Sequence, residues 1–317
     1  MREIAAEYSA WRQEGERLAL ATVVSTWGSS PRPLGSRLLV SGTGRMAGSV
    51  SNGCIEGAVF EELQKTLKNG EARLVDFGVA DDLAFEVGLA CGGHIQLFLQ
   101  KATEQHDRAV ELVTAERPFT LLTDLTSGEV ELLPGPPTSE LPRRDGDRFE
   151  EPFGRPPHLI IVGAIHIAIP LHRLARVIGY RVTVVDARSQ FATEERFPEA
   201  DEIVIAWPDD ALKGMEVDRS TAVVILTHDP KFDLPALRSV LKTAAGYIGA
   251  IGSRKTSQNR LEQLRSEGFN EEQLARIHGP IGLDLGGRGA EETALAILAE
   301  ITAVRFGGAA AGTAANT

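Results

Sequence analysis

Apolar and polar positions follow two different rhythms along this chain. In the first half, residues 4–18 (IAAEYSAWRQEGERL) bring Ile4, Tyr8, Trp11 and Leu18 close to one face at helical spacing. LALATVVST then reads as a buried strand ending at Trp27, GSSPRPLGSRLLV as a turn feeding a second strand, and SGTGRMAGSV as a hairpin. AVFEELQKTLKNG places Val59, Phe60, Leu63 and Leu67 on one side of a helix that stops at Gly70. ARLVDFG and HIQLFLQ are further strands, residues 104–118 predict a helix, and PFTLLTDLTSGEVELLPG predicts strand–turn–strand. Antiparallel strands interleaved with helices predict an α+β domain over residues 1–133.

From His158 the pattern changes. HLIIVG, RVTVVD, EIVIAW, TAVVILTHD and GYIGAIGS are short, near-continuous apolar runs, separated by helical stretches such as HIAIPLHRLARVIGY and DLPALRSVLKTAA. Strands without alternation need cover on both faces, which predicts a parallel, Rossmann-like sheet over residues 158–306. Between the halves, residues 134–157 hold seven prolines and few bulky apolar side chains, the pattern of a linker. The tail at 307–317 has nothing to bury. The fold class expected is α/β, an α+β domain followed by a Rossmann-like one.

A length of 317 residues gives each half enough chain for its own core. With 33 basic and 44 acidic residues the formal charge is −11, which disfavours nucleic acid as a partner, because phosphates need clustered Lys and Arg. No apolar run reaches the roughly 18 residues that a membrane helix needs. The charged start, MREIAAEYSAWRQEGE, lacks the apolar core of a signal peptide, and two cysteines are too few for a disulfide scaffold. A cytoplasmic protein with free thiols is expected.

Three groups of residues are candidates for chemistry. Cys54 lies in GSVSNGCIEG, beside Gly53 and Glu56 and just before a predicted helix; Cys91 lies in GLACGGH, beside Gly92 and Gly93. Glycine permits tight turns and close ligand approach, and a helix N-terminus favours a thiolate or an anion. Either cysteine alone reads as a small buried hydrophobe; two in glycine-rich turns of one domain point to a ligand-facing pair. Arg37, in GSSPRPLGSR, is a candidate anion contact.

The second group is the turn after HLIIV. Gly163 fits the first glycine of a dinucleotide fingerprint, Ala168 its last position, and Asp186 the ribose-binding acid about 20 residues on. Ile165 stands where the second glycine would let backbone approach a pyrophosphate, so NAD(P) is disfavoured. The third group is the rim of that sheet, with His228 and Asp229 after one strand and Ser253 and Arg254 after the next. Each reads singly as a cap or a solvated residue; together on one edge they suit a polar, partly anionic small molecule.

STWGSSPRPLGSRLLV, GSVSNGCIEGAV, GLACGGHIQL, VVDAR, AVVILTHDPKFD, YIGAIGSRKT and GPIGLDLGGRGAEETALAILAEI occur in that order. Together they resemble the XdhC/CoxI family, the accessory factors of molybdenum hydroxylases such as xanthine dehydrogenase. That resemblance implies a chaperone that binds molybdenum cofactor (molybdopterin), shields it during sulfuration by a cysteine desulfurase, and inserts it into the hydroxylase apoenzyme. On this reading Cys54 and Cys91 meet the molybdenum, because soft thiolates suit that metal or its sulfur ligands. The glycine turns admit a flat pterin, a homodimer would complete the binding cleft, and no substrate is turned over. The competing expectation is an NAD(P)-dependent oxidoreductase working from the Rossmann-like half.

Overall fold

The computed structural model describes residues 1–28, 32–78, 93–139 and 141–308. The chain divides into two compact units, Met1–Arg155 and Pro156–Thr317.

The first unit opens with a 3-10 turn (Arg2–Ile4) and α1 (Ala5–Gln13). Then come β1 (Leu18–Trp27), β2 (Arg37–Ser41), β3 (Met46–Gly48), α2 (Glu56–Asn69), β4 (Arg73–Phe77), β5 (His94–Lys101) and α3 (Glu104–Thr114). Four strands close it: β6 (Phe119–Asp124), β7 (Val130–Pro134), β8 (Arg143–Asp145) and β9 (Arg148–Phe153). Strands β3-β2-β1-β5-β4 make one antiparallel sheet and β7-β6-β9-β8 another. The period of two along β1 explains how the first sheet is covered. Ala19, Ala21 and Val23 face Ile55, Val59, Leu63 and Leu67 around α2. Leu18 and Leu20 face Tyr8 and Trp11 of α1, Val110 of α3 and Phe119 of β6.

The stretch expected as a linker, residues 134–157, contributes β8 and β9 to the second sheet. β9 pairs with β6 from Phe119↔Phe153 to Asp124↔Arg148. Its alternation turns Phe149 and Glu151 inward, 1% and 2% exposed, so this stretch builds part of a sheet. The division between units falls after Arg155, inside the 134–157 stretch, and β8 and β9 belong to the first unit.

The second unit contains β10 (His158–Val162), α4 (Ala168–Val177), β11 (Arg181–Val185), β12 (Glu202–Val204), α5 (Pro208–Lys213) and β13 (Thr221–Ile225). It continues with α6 (Pro230–Val240), β14 (Tyr247–Ala250), α7 (Arg254–Ser266), α8 (Glu271–Leu274), β15 (Ile277–His278) and α9 (Ala290–Phe306). All six strands are parallel in the order β12-β11-β10-β13-β14-β15, the 3-2-1-4-5-6 succession of a Rossmann sheet. Leu159, Ile161, Val182 and Val224 pack on one face with Leu171 of α4 and Ile297 of α9. Ile160, Val162, Val223 and Ile225 pack on the other with Leu234 and Leu237 of α6 and Leu264 of α7. Strand order reverses between β10 and β13, where such sheets leave a crevice at their carboxyl ends. The tail beyond Gly308 lies outside the described residues.

Candidate functional site

In the first unit the segment from Ser49 to Glu56 folds around one carboxylate. Glu56 opens α2, where a negative charge complements the helix dipole. Its side chain accepts from the Ser49 hydroxyl at 2.6 Å and from the main-chain N–H of Val50 at 3.1 Å, Ser51 at 2.8 Å and Gly53 at 2.8 Å. The Ser51 hydroxyl donates to it as well. Burial opposes the charge, but the serine hydroxyls and the loop N–H groups overcome it and hold the Glu56 carboxyl down at about 2.

Cys54 is exposed on this braced loop. Gly53 has φ 106°, a conformation that L side chains rarely adopt, and a Cβ there would meet none of the described residues within 4 Å. Among the described residues, nothing covers the residue next to the thiol. Glu56, expected among the ligand contacts, spends its acceptors on its own loop and acts as the brace.

Arg37 does not face a ligand. It is 3% exposed, forms a buried ion pair with Glu151 of β9 and donates to Gly35 O at 3.2 Å. Its charge is neutralised across the two sheets, a partnership that a local reading of GSSPRPLGSR does not reveal. Cys91 and Gly92 lie outside the described residues, and Gly93 is buried immediately before β5. α2 lies along β1 and β5, and its last turn comes near the end of β5, where a Cβ on Gly70 would sit 3.1 Å from Lys101 Nζ. The helix therefore starts on the side where β5 begins at His94. Among the described residues no cluster of three or more His, Cys, Asp or Glu could hold a metal ion.

In the second unit Gly163, Asp186, His228, Asp229, Ser253 and Arg254 all follow the carboxyl ends of parallel strands, so the topology gathers them on one edge. Gly163 has φ 104°, and a Cβ there would lie 2.7 Å from Thr227 Cγ2, so the ends of β10 and β13 close tightly. Asp186 is 2% exposed and is not free for a ribose. It accepts from Ala164 N at 2.8 Å, from Arg188 N and Nε at 2.9 Å, and from Arg188 Nη2 at 2.8 Å. Burial raises its pKa, but the bonds from Arg188 prevail and the net shift is downward.

Ile165 is half-buried and packs in part against the core, so it does not stand wholly in the turn. Asp229 and Ser253 cap α6 and α7 by accepting from Lys231 N at 3.0 Å and Thr256 N at 3.1 Å. His228 and Arg254 are exposed.

Two arrangements on this edge escaped the sequence reading. Asp233 and Arg260 form a buried pair that also takes the Thr227 hydroxyl. The Arg188 guanidinium lies over the Phe191 ring at 4.2 Å and the Phe232 ring at 5.6 Å, and Phe232 stacks on Trp207 at 4.7 Å and 13°. The available signal was an aromatic residue or an arginine within a few residues of three successive strand ends.

Residues 159–301 match the family model of the XdhC Rossmann domain, and residues 11–78 match that of the XdhC and CoxI family. The molybdenum cofactor insertion chaperone PaoD of Escherichia coli is 30% identical over 294 residues, covering 92% of this chain and 85% of that protein. A Bacillus subtilis protein whose name is that of a probable xanthine dehydrogenase subunit is 27% identical over 319 residues, covering 92% of this chain and 94% of that protein. A crystal structure described as a xanthine dehydrogenase from Bacillus halodurans shares the fold with a TM-score of 0.79 at 24% identity, over 96% of each chain.

Proposed function

Because the chain belongs to the XdhC and CoxI family, we propose that it binds molybdenum cofactor and inserts it into a xanthine dehydrogenase-type apoenzyme, with Cys54 as the thiol that meets the cofactor. The observation that carries this reading is an exposed thiol on a loop braced from within by Glu56, next to a Gly53 that none of the described residues covers. A chaperone needs a soft donor that is fixed in place yet reachable from solvent, and a thiolate suits molybdenum or its sulfur ligands. The bound cofactor would supply the metal and pterin chemistry; this chain's residues hold, orient and release it.

Cys91 is the second thiol in the proposal, and the strand that follows it in sequence begins on the side from which α2 starts. Protection of the cofactor during sulfuration by a cysteine desulfurase, in the cytoplasm, belongs to the same reading. Among the described residues no helix is long and apolar enough to cross a membrane. The rival reading, an NAD(P)-dependent oxidoreductase, has less support: Asp186 and the Ala164 N–H are already bonded to each other.

The test is to purify the chain and its C54S variant from cells that make the cofactor, and to measure molybdenum by metal analysis and the pterin by mass spectrometry. Loss of both from C54S at unchanged melting temperature is the expected result. Equal cofactor content in the two proteins sinks the assignment of Cys54, and a parent chain that never carries molybdenum sinks the function.

A further inference from the structure

We propose that the carboxyl edge of the parallel sheet carries a stacking platform for a flat heteroaromatic ring, a nucleobase or a pterin, built from Trp207 and Phe232 and braced by Arg188. The argument uses only the second unit and does not depend on Cys54.

Trp207 comes from the segment after β12 and Phe232 from the first turn of α6, yet their rings lie nearly parallel at 4.7 Å. Two aromatic planes from separate elements, held at stacking distance, form a rigid surface. Trp207 remains 49% exposed, with Ile205 at 57% and Phe191 at 39% on neighbouring segments. An indole left half in water, backed by another ring, presents a π surface to whatever flat group approaches.

Arg188 makes the surface permanent. An arginine over aromatic rings is ordinarily free to swing into water, but here the buried Asp186 grips its Nε and Nη2. The guanidinium is thereby fixed over Phe191 and Phe232 and adds a cation–π contact to each. The platform lies beyond the carboxyl ends of parallel strands, where open α/β sheets bind ligands. Lys231, next in sequence to Phe232, is exposed and makes no ion pair among the described residues, so a cation is at hand for a phosphate attached to the ring.

Stacking tolerates any flat ring, and a nucleobase and a pterin share that chemistry. Stacking of one base is worth on the order of tenfold or more in affinity by alanine substitution. That loss is the quantity to read.

The experiment is calorimetric titration of the full chain with AMP, GMP, CMP, neopterin and ribose 5-phosphate, repeated on W207A and W207F. At least one of the four ring compounds is expected to bind in the micromolar range, with the base and pterin arms showing which source is preferred. Ribose 5-phosphate should bind at least about tenfold more weakly, W207A should lose about tenfold or more, and W207F should stay close to the parent. The proposal is overturned if no ring compound binds below millimolar concentration, if ribose 5-phosphate binds equally well, or if W207A binds like the parent. It is also overturned if W207A abolishes capture of a hydroxylase apoenzyme while no ring binds, because the patch is then a protein interface.

Discussion

The Gly53 N–H donates to Glu56 Oε2 at 2.8 Å, tying the residue before the exposed thiol to the first residue of α2. The loop is thus held by a buried charge that belongs to its own helix. E56Q replaces an acceptor-only carboxylate with a group that accepts at one atom only, leaving loop N–H groups short of partners. About 2–3 kcal/mol of stability should be lost at pH 7, read as a lower urea midpoint.

The same side chain makes that loss pH-dependent. The folded value, about 2, lies below the ordinary 4.5, so the carboxylate stabilises the fold above pH 4.5 and ceases to as the pH falls toward 2. Urea midpoints of parent and E56Q should converge between pH 4.5 and pH 2. A gap that stays constant over that range would mean that the loop does not depend on the charge.

His106 titrates with the opposite chemistry and the same direction. It is 1% exposed, its Nδ1 accepts from Thr103 N at 3.2 Å, and burial, with Arg37 adding, pushes its pKa down to about 3. The unfolded chain takes up this proton near 6.5 while the folded chain refuses it, so stability falls as the pH drops from 6.5 toward 3. H106Q should be less stable than the parent at pH 7 but should lose less between pH 6.5 and pH 4. Denaturant titrations across that range measure both slopes.

Gly163→Ala places a methyl 2.7 Å from Thr227 Cγ2 and 3.1 Å from Thr227 N, on backbone with φ 104°. The cost should be about 1–3 kcal/mol or more. T227S removes the facing methyl yet keeps the hydroxyl that donates to Asp233, so the double variant should recover part of the loss. A double-mutant cycle in urea measures the coupling; additive effects would refute the contact.

Arg260→Met strips Asp233 of its buried cation. Asp233 is 1% exposed, and removing one partner of such a pair costs about 3–5 kcal/mol, because the remaining charge has neither water nor counter-ion. Replacing both, as D233L/R260M, should restore much of the stability. Thermal denaturation separates the cases, and a harmless R260M would show that the pair is solvated.

The parallel sheet was legible because its strands are apolar on both sides: HLIIV, RVTVV and TAVVI are each buried almost throughout. Leu18 misled the helical reading. Its spacing suits α1, but α1 ends at Gln13 and Leu18 opens β1, where it packs beside Tyr8 and Trp11 all the same. Proline content hid β9, because composition says nothing about the alternation that buries Phe149 and Glu151. At the candidate site Gly53 and Cys54 stand out in the sequence from local pattern alone, and the structure leaves both exposed. The role of Arg37 depended on Glu151, 114 positions away, and that of Asp186 on an arginine that takes its oxygens. Aromatic stacking joins Trp207, at the start of α5, to Phe232 in α6, two elements that only the folded sheet brings together.

The ion pair between Arg37 and Glu151 decides where this protein can be cut. A fragment ending at residue 133, where composition invites the scissors, would strand a guanidinium deep in hydrocarbon with no counter-charge and strip both β8 and β9 from the side of β6. Such a fragment should aggregate on expression, whereas one ending at Arg155 retains both halves of the rivet. Anyone wishing to weigh the thiol loop apart from the Rossmann half should place the stop codon there.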